Sequence, residues 1–358
     1  MMESLKLVGD GADLKFTINF SDPIKIPDWN DKMEKIDDSS FFHSSNWAEV
    51  LHKTYGYEPV YLTIWNKEQI VGLVPFMAIR SFLTGRRAVS LPFSDYTLPL
   101  LPEGISWKKL WSKIITQAEP YNWKTIELRG GGNDISDVAS TFFYVHHISL
   151  QQDKEALFKN FNRNTRTNIK KAEKEGLRVV VRNDAEAIDK FFKLNCINRK
   201  KLGVPPQPRF FFDNIYKYIF EPGLGEVVMI YQDENLVSAG MVFFFNKKVI
   251  FKYSALNYTY QSLRSNNLMV WEMIKRYSAN GFESFCFGRT DPANEGLRRY
   301  KNNFGSVENV LNYYKFDLTK NEQVKSDPEV SELMKSLMQR SPVWLLKWVG
   351  SALYKHMA

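Results

Sequence analysis

FGRTDPANEGLRRYKNNFG, residues 287–305, runs from the end of an apolar strand pattern through a loop into a helix. Gly288 lets the backbone turn, which puts Arg289 in the loop after a strand, where α/β proteins commonly bind ligands. Asp291-Pro292 predicts the helix start, a capping residue followed by proline at the first helical position. On that helix Arg298, Arg299 and Lys301 supply cations, and Tyr300 sets a flat ring beside the Lys301 point charge. Where a reaction develops an oxyanion, a fixed cation in a water-poor cleft stabilises it, and Lys301 is the cation placed to do so. The structural alternative makes Arg298 and Arg299 surface charges and Tyr300 a core residue.

Upstream of this stretch, residues 249–254 read as a strand and residues 268–278 as a helix, with Met269, Met273 and Tyr277 recurring every four positions. Asn280-Gly281 ends that helix, residues 284–287 form the next strand, and residues 307–316 form the last one. Two apolar hairpins share one layout. YLTIW, the turn NKEQ and IVGLVPFMAI lie within residues 60–79; VVMIYQ, the turn DEN and LVSAGMVFFF lie within residues 227–245. A helical pattern precedes each, at residues 46–55 and 185–201, which supports an internal repeat. Helix, hairpin, strand, helix, strand, helix, strand is the order of a mixed α/β fold. The expected domains are residues 1–150 and 151–320, with a linker near residues 149–154 and a helical tail over residues 321–358.

Composition bounds the rest. The chain has 358 residues, 44% hydrophobic and 15% aromatic, enough for a core and more than one domain usually holds. Forty-eight Lys and Arg against 40 Asp and Glu leave a formal charge of +8, which favours an anionic partner. The basic residues concentrate where one amphipathic helix is expected over residues 153–176, closed by a left-handed Gly176. Its apolar side carries Phe158, Phe161, Thr165, Ile169 and Ala172; Arg163, Arg166, Lys170 and Lys174 form an adjoining stripe. Such guanidinium groups suit a diphosphate or an RNA backbone, and a solvated face explains them equally well. Cys196 and Cys286 are too few for a disulfide framework, so a reducing compartment is expected. His146 and His147 are strand neighbours that face opposite sides, so no metal site is expected. Without an apolar leader or an 18-residue apolar run, the expected location is cytoplasmic. The C-terminal stretch SPVWLLKWVGSALYKHMA has two expected uses, docking on the protein itself or lying at the inner membrane face. In LPFSDYTLPLL, residues 91–101, Asp95 and Tyr96 are polar groups in a proline-bounded apolar run. They are expected to line the cleft between domains, with an Asp95-stabilised turn as the alternative.

The runs NRNTRTNIKKAEKEGL, RKKLGVPPQP, FKYSALN and above all FGRT…GLRRYKNNFG resemble the Fem-type (FemABX) peptidoglycan aminoacyltransferases and their acyltransferase relatives. The resemblance covers roughly residues 41–316. It implies tandem domains of the GCN5-related N-acetyltransferase (GNAT) fold. It also implies that Tyr300-Lys301 corresponds to an aromatic-lysine pair near the reactive end of the acyl donor, with tyrosine replacing the commoner phenylalanine. Lys301 and Tyr300 are therefore the expected catalytic residues. Arg163, Arg166, Lys170, Arg289, Asp291, Arg298, Asp95 and Tyr96 are the expected substrate-binding ones. A CoA-dependent relative would open a helix with a glycine-rich turn that cradles the pyrophosphate. The corresponding Ser262-Leu263-Arg264-Ser265-Asn266-Asn267 has no glycine, which argues against ordinary acetyl-CoA binding. No tightly bound cofactor is expected, and the donor is an aminoacyl-tRNA or an acyl thioester. Three readings follow. The first is acyl or aminoacyl transfer to an amine of a phosphorylated envelope precursor, either a peptidoglycan peptide or a surface-polysaccharide amino sugar. The second is N-acyl transfer from CoA or a carrier protein. The third is non-catalytic binding of an anionic glycan or nucleic acid.

Overall fold

A computed structural model describes residues 5–8, 15–131, 135–325 and 332–357. Parts of the N-terminal segment read above for a leader, and residues 326–331 of the tail, lie outside these. The chain begins with β1 (Leu5–Val8), β2 (Lys15–Ser21), α1 (Trp29–Glu34), α2 (Ser45–Tyr55) and β3 (Glu58–Pro59). It continues through β4 (Tyr61–Asn66), β5 (Gln69–Val74), β6 (Met77–Ser81), β7 (Gly85–Val89), α3 (Trp107–Ala118) and β8 (Thr125–Arg129). Next come β9 (Thr141–Ser149), α4 (Lys154–Asn160), α5 (Arg163–Lys174), β10 (Arg178–Arg182), α6 (Ala185–Lys201) and α7 (Arg209–Ile215). The motif-bearing part holds β11 (Gly225–Gln232), β12 (Asn235–Phe245), β13 (Lys248–Leu256), α8 (Ser265–Ala279), β14 (Ser284–Thr290) and α9 (Glu295–Asn302). β15 (Val307–Asp317), β16 (Glu322–Gln323), α10 (Glu332–Arg340) and α11 (Val343–Leu353) close the chain.

These elements form two compact units that are discontinuous in sequence. Unit 1 comprises Met1–Phe143, Val310–Asp327 and Lys355–Ala358; unit 2 comprises Tyr144–Asn309 and Pro328–Tyr354. The boundaries of these units fall inside the strands β9 and β15, and the terminal segment is divided between them. Unit 1 contains the antiparallel order β1-β2-β4-β5 and the order β3-β6-β7-β8-β15, in which β7 and β8 run parallel. The expected hairpin over residues 60–79 is split. Pro75 has no N–H to give a ladder, so β5 ends at Val74 and β6 pairs elsewhere. The core of unit 1 gathers Trp107, Leu110 and Ile114 of α3 against Ile64, Phe76 and Tyr314.

Unit 2 contains the order β10-β11-β12-β13-β14-β9, antiparallel except between β13 and β14. The parallel pair is joined through α8, as a parallel connection requires. Unit 1 repeats this device with β7, α3 and β8, which is the structural form of the repeat seen in the hairpins. Leu268, Met269, Met273, Ile274 and Tyr277 of α8 pack over Val228, Ile230, Val242 and Phe285 of the sheet. Asn280-Gly281 ends α8 as expected, with Gly281 left-handed at φ 78°.

Two local expectations change. The basic segment is two helices, because Phe161 turns extended and buries its ring against Trp271 and Phe304. Asn162 then caps α5, its side chain accepting from the Asn164 N–H at 2.9 Å. Helix α9 begins later than Asp291-Pro292, since Asn294 is its cap and accepts from the Leu297 N–H at 3.0 Å. Asp291 instead closes a turn by accepting from the Ala293 N–H at 2.9 Å.

Gly176 and Gly305 are both left-handed at φ 69°, so an alanine meets similar backbone strain at each. A Cβ at Gly176 has nothing within 4 Å, whereas one at Gly305 would lie 2.9 Å from the Asn160 carbonyl oxygen. Gly176→Ala is expected to cost about 1 kcal/mol, and Gly305→Ala about 2 kcal/mol or more. Urea denaturation of the two variants measures the difference.

Burial pushes the His147 imidazole down to about 4, helped by the neighbouring His146 and Lys248 charges. The unfolded histidine binds its proton near pH 6.5, so the unfolded state holds more protons between about 6.5 and 4. Folding stability is therefore complete above pH 6.5 and falls as pH drops toward 4, by at most about 3 kcal/mol. Denaturation of His147→Asn should show a flatter pH profile than the parent across that window.

Candidate active site

β13 and β14 pair in parallel through three positions, Lys248 with Ser284, Val249 with Phe285 and Ile250 with Cys286. Beyond these both strands continue, β13 to Leu256 and β14 to Thr290, with no further pairing between them. The strands thus diverge and open the sheet at their carboxyl ends. Each carries an irregularity near the divergence. On β13, Met241 pairs with Tyr253 and Val242 with Phe251, so Lys252 is a bulged extra residue. On β14, Cys286 pairs with His147 and Arg289 with Val145, so an extra residue also sits at Phe287-Gly288, with Gly288 left-handed at φ 70°.

Lys301 fills the second irregularity. It is only 5% exposed, and its Nζ donates to the carbonyls of Gly288 at 2.9 Å and Arg289 at 3.1 Å. A bulge turns carbonyls out of the ladder, and a buried ammonium requires acceptors, so each satisfies the other. Tyr300 performs the matching task on the other side. Its ring packs on the unit 2 core, and its hydroxyl donates to the Asn266 carbonyl at 3.2 Å, in the first turn of α8. Burial holds the Tyr300 hydroxyl well above its ordinary pKa, so it remains a neutral donor.

The first turn of α8 faces the same region without glycine. Arg264 stands before the helix in a left-handed conformation, φ 59°, and its carbonyl accepts from the Asn267 N–H at 2.9 Å. Ser265 is 1% exposed, and among the described residues its Oγ and the Asn266 Oδ1 have no hydrogen-bond partner. A helix start with an unused buried hydroxyl suits an anionic oxygen.

Glu308 organises a second cluster. Its carboxylate takes two hydrogen bonds from Arg298, at 2.7 and 2.6 Å, one from Asn302 at 3.0 Å and lies 3.1 Å from His146 Nε2. The Arg298 hydrogen bonds lead in holding the Glu308 carboxyl down at about 2. Burial and the Lys301 charge lower the His146 pKa, opposed by Glu308. The Arg298 guanidinium also stacks on Tyr144, 3.9 Å from the ring centroid.

The expected substrate residues therefore separate. Arg298 is committed to Glu308 and Tyr144, and Arg166 donates to the carbonyls of Lys159 and Phe161 at 2.7 and 2.9 Å, capping α4. Arg289, expected in a loop, lies within β14, because the strand continues past the irregularity to pair Arg289 with Val145. It, Arg163, Lys170 and Asp291 are exposed, and Asn162 N–H donates to Asn303 O at 2.8 Å, so α5 starts where α9 ends. Asp95 and Tyr96 belong to unit 1, where the Asp95 carbonyl accepts from Tyr313 at 2.7 Å and Tyr96 packs edge-on to Phe42. Glu308 and its tie to His146 were missed in the sequence. A lone glutamate opening a strand carries no local signal of a partner 162 positions away.

Residues 159–302 match the sequence profile of an acetyltransferase (GNAT) domain. No curated protein matches the chain. Among solved structures, FemX superposes with a TM-score of 0.64 at 14% identity, covering 81% of this chain and 95% of FemX. A tandem GNAT protein from the clavulanic acid biosynthesis pathway gives 0.53 at 9% identity, over 88% of this chain and 100% of that one. A conserved protein of unknown function from Bacteroides thetaiotaomicron gives 0.52 at 14% identity, over 83% and 98%. At these identities the likeness is one of fold. Residues 159–302, with diverging parallel strands and a crossover helix whose start faces the gap, form a GNAT-type domain, in a chain whose fold is similar to that of FemX.

Proposed function

We propose that the chain transfers an aminoacyl or other acyl group to an amine of a phosphorylated envelope precursor, a peptidoglycan peptide or the amino sugar of a surface polysaccharide. The divergence of β13 and β14 after three pairs carries this reading, because it opens a slot where a donor's acyl group can enter between strands. The amine nitrogen attacks the acyl carbonyl carbon, the carbonyl oxygen becomes an oxyanion, and collapse expels the donor's hydroxyl or thiol as the amine loses a proton. Lys301 places its charge at the end of β14, where an oxyanion field is useful, and holds the Gly288 and Arg289 backbone in register. Tyr300 keeps the start of α8 beside it. Asp291 at the loop, or water, takes the proton from the amine.

Two features favour a charged tRNA over acetyl-CoA as donor. The turn before α8 has the side chain of Arg264 where a CoA cradle needs glycine. The exposed Arg163 and Lys170 of α5 form a cationic track suited to an RNA backbone. The resemblance to Fem-type enzymes points the same way. The unused Ser265 hydroxyl favours a second reading, an acyl thioester whose phosphates reach the start of α8.

A ligand that binds the native state alone raises the melting temperature. Charged tRNA is expected to raise it by several degrees in a salt-sensitive way, while acetyl-CoA leaves it unmoved. A rise with acetyl-CoA or longer acyl-CoAs and none with charged tRNA selects the thioester reading. Binding of nucleic acid without turnover, when labelled donor and precursor are supplied together, removes the enzymatic one.

A further inference from the structure

The last two helices give unit 2 a face that its core does not use. Helix α11 docks through one side. Leu346 is buried, and Gly350 lies so close to Pro206 that a Cβ would meet its carbonyl oxygen. The Tyr354 hydroxyl, just past the helix, is 3.1 Å from the Pro205 carbonyl and 2.9 Å from Arg199. The other side carries Trp344, 70% exposed, and Trp348, 67% exposed, one helical turn apart. Leu337 on α10 is also 64% exposed. Two large apolar side chains exposed on successive turns of one helix point to an interaction site.

Cations stand beside Trp348. Lys193, Gln207, Arg209, Lys347 and Ser351 line a recess of about 370 Å³ together with Trp348. Asp189 also lines it and is paired with both Lys193 and Arg209, and Arg209 pairs in addition with Asp213. Lys347 Nζ lies 5.2 Å from the Phe192 ring centroid, which keeps a positive charge beside Trp348. Between residues 333 and 354 the sequence holds Lys335, Arg340 and Lys347 and no acidic residue.

We propose that this face seats peripherally on an anionic phospholipid bilayer, with Trp344 and Trp348 at headgroup depth and a lipid phosphate at the recess beside Lys347. Indole rings favour the membrane interface because they join an apolar body to a polar N–H. Lysine and arginine near the surface are drawn to anionic lipid. Among the described residues no helix is long and apolar enough to cross a membrane, and α11 is half-docked, so the contact lies in the plane of the interface. A second copy fits less well, since it would bring the two sets of cations together. A protein partner fits less well too, because charged residues are depleted at the core of such interfaces.

Flotation of the full chain with vesicles tests this. It is expected to float with mixed phosphatidylcholine and phosphatidylglycerol vesicles, to release as salt rises, and to ignore phosphatidylcholine alone. The double variant Trp344→Ser, Trp348→Ser and the single variant Lys347→Glu should each weaken binding about tenfold with an unchanged melting temperature. The proposal is overturned if the parent does not float with anionic vesicles, or if both variants float as well as the parent. It is equally overturned if light scattering shows a parent dimer that the double variant turns into monomer.

Discussion

The buried ammonium of Lys301, donating to the carbonyls of Gly288 and Arg289, is the contact on which the geometry of the site depends. An extra residue on β14 interrupts the regular ladder with β9 at Phe287-Gly288, where main-chain carbonyls need hydrogen-bond donors. A lysine from α9 meets that need and finds in them the acceptors its own charge requires. The end of β14 is therefore held by Lys301 and by its Arg289 and Thr290 pairs with β9, beyond the last pair with β13. Tyr300, one position earlier, ties the same helix to the first turn of α8. Two neighbouring residues on one short helix thus fix both the strand end and the helix start that border the opening.

Charge around this centre is divided between fold and surface. Glu308 draws Arg298, Asn302 and His146 into one cluster, and Arg166 spends its guanidinium on the end of α4. Cations that look equivalent along the sequence therefore do different work. Arg163, Lys170 and Arg289 remain exposed at the surface of unit 2. That leaves a smaller exposed set than the sequence stripe implies, with Arg163 and Lys170 on α5 and Arg289 near the end of β14.

Elements with regular periodicity were legible in the sequence. The four-residue spacing of Met269, Met273 and Tyr277 marked α8, and continuous apolar, β-branched runs marked β11 and β12. Gly176 and Gly281 closed their helices because a left-handed residue is a local requirement. The break at Phe161 was not legible, since the ring leaves the helical path for a pocket formed by Trp271 and Phe304, residues far along the chain. Pro75 was visible, yet its effect was not, because the apolar run continues through it. In the site, Tyr300 and Lys301 stood out through family resemblance, while their partners did not: main-chain carbonyls have no sequence signature. Which arginine meets a carboxylate and which stays exposed is likewise a matter of tertiary placement, so charge pattern alone grouped Arg298 with Arg289.

The most direct measurement is amide hydrogen exchange on Lys301→Met, an apolar side chain of similar length, beside the parent and Lys301→Arg. If Lys301 holds the site, the methionine variant exchanges faster at residues 287–290 and in the first turn of α8. Slow exchange persists in β11 and β12, and arginine restores part of the protection. Unchanged exchange at residues 287–290 in the methionine variant would contradict the account.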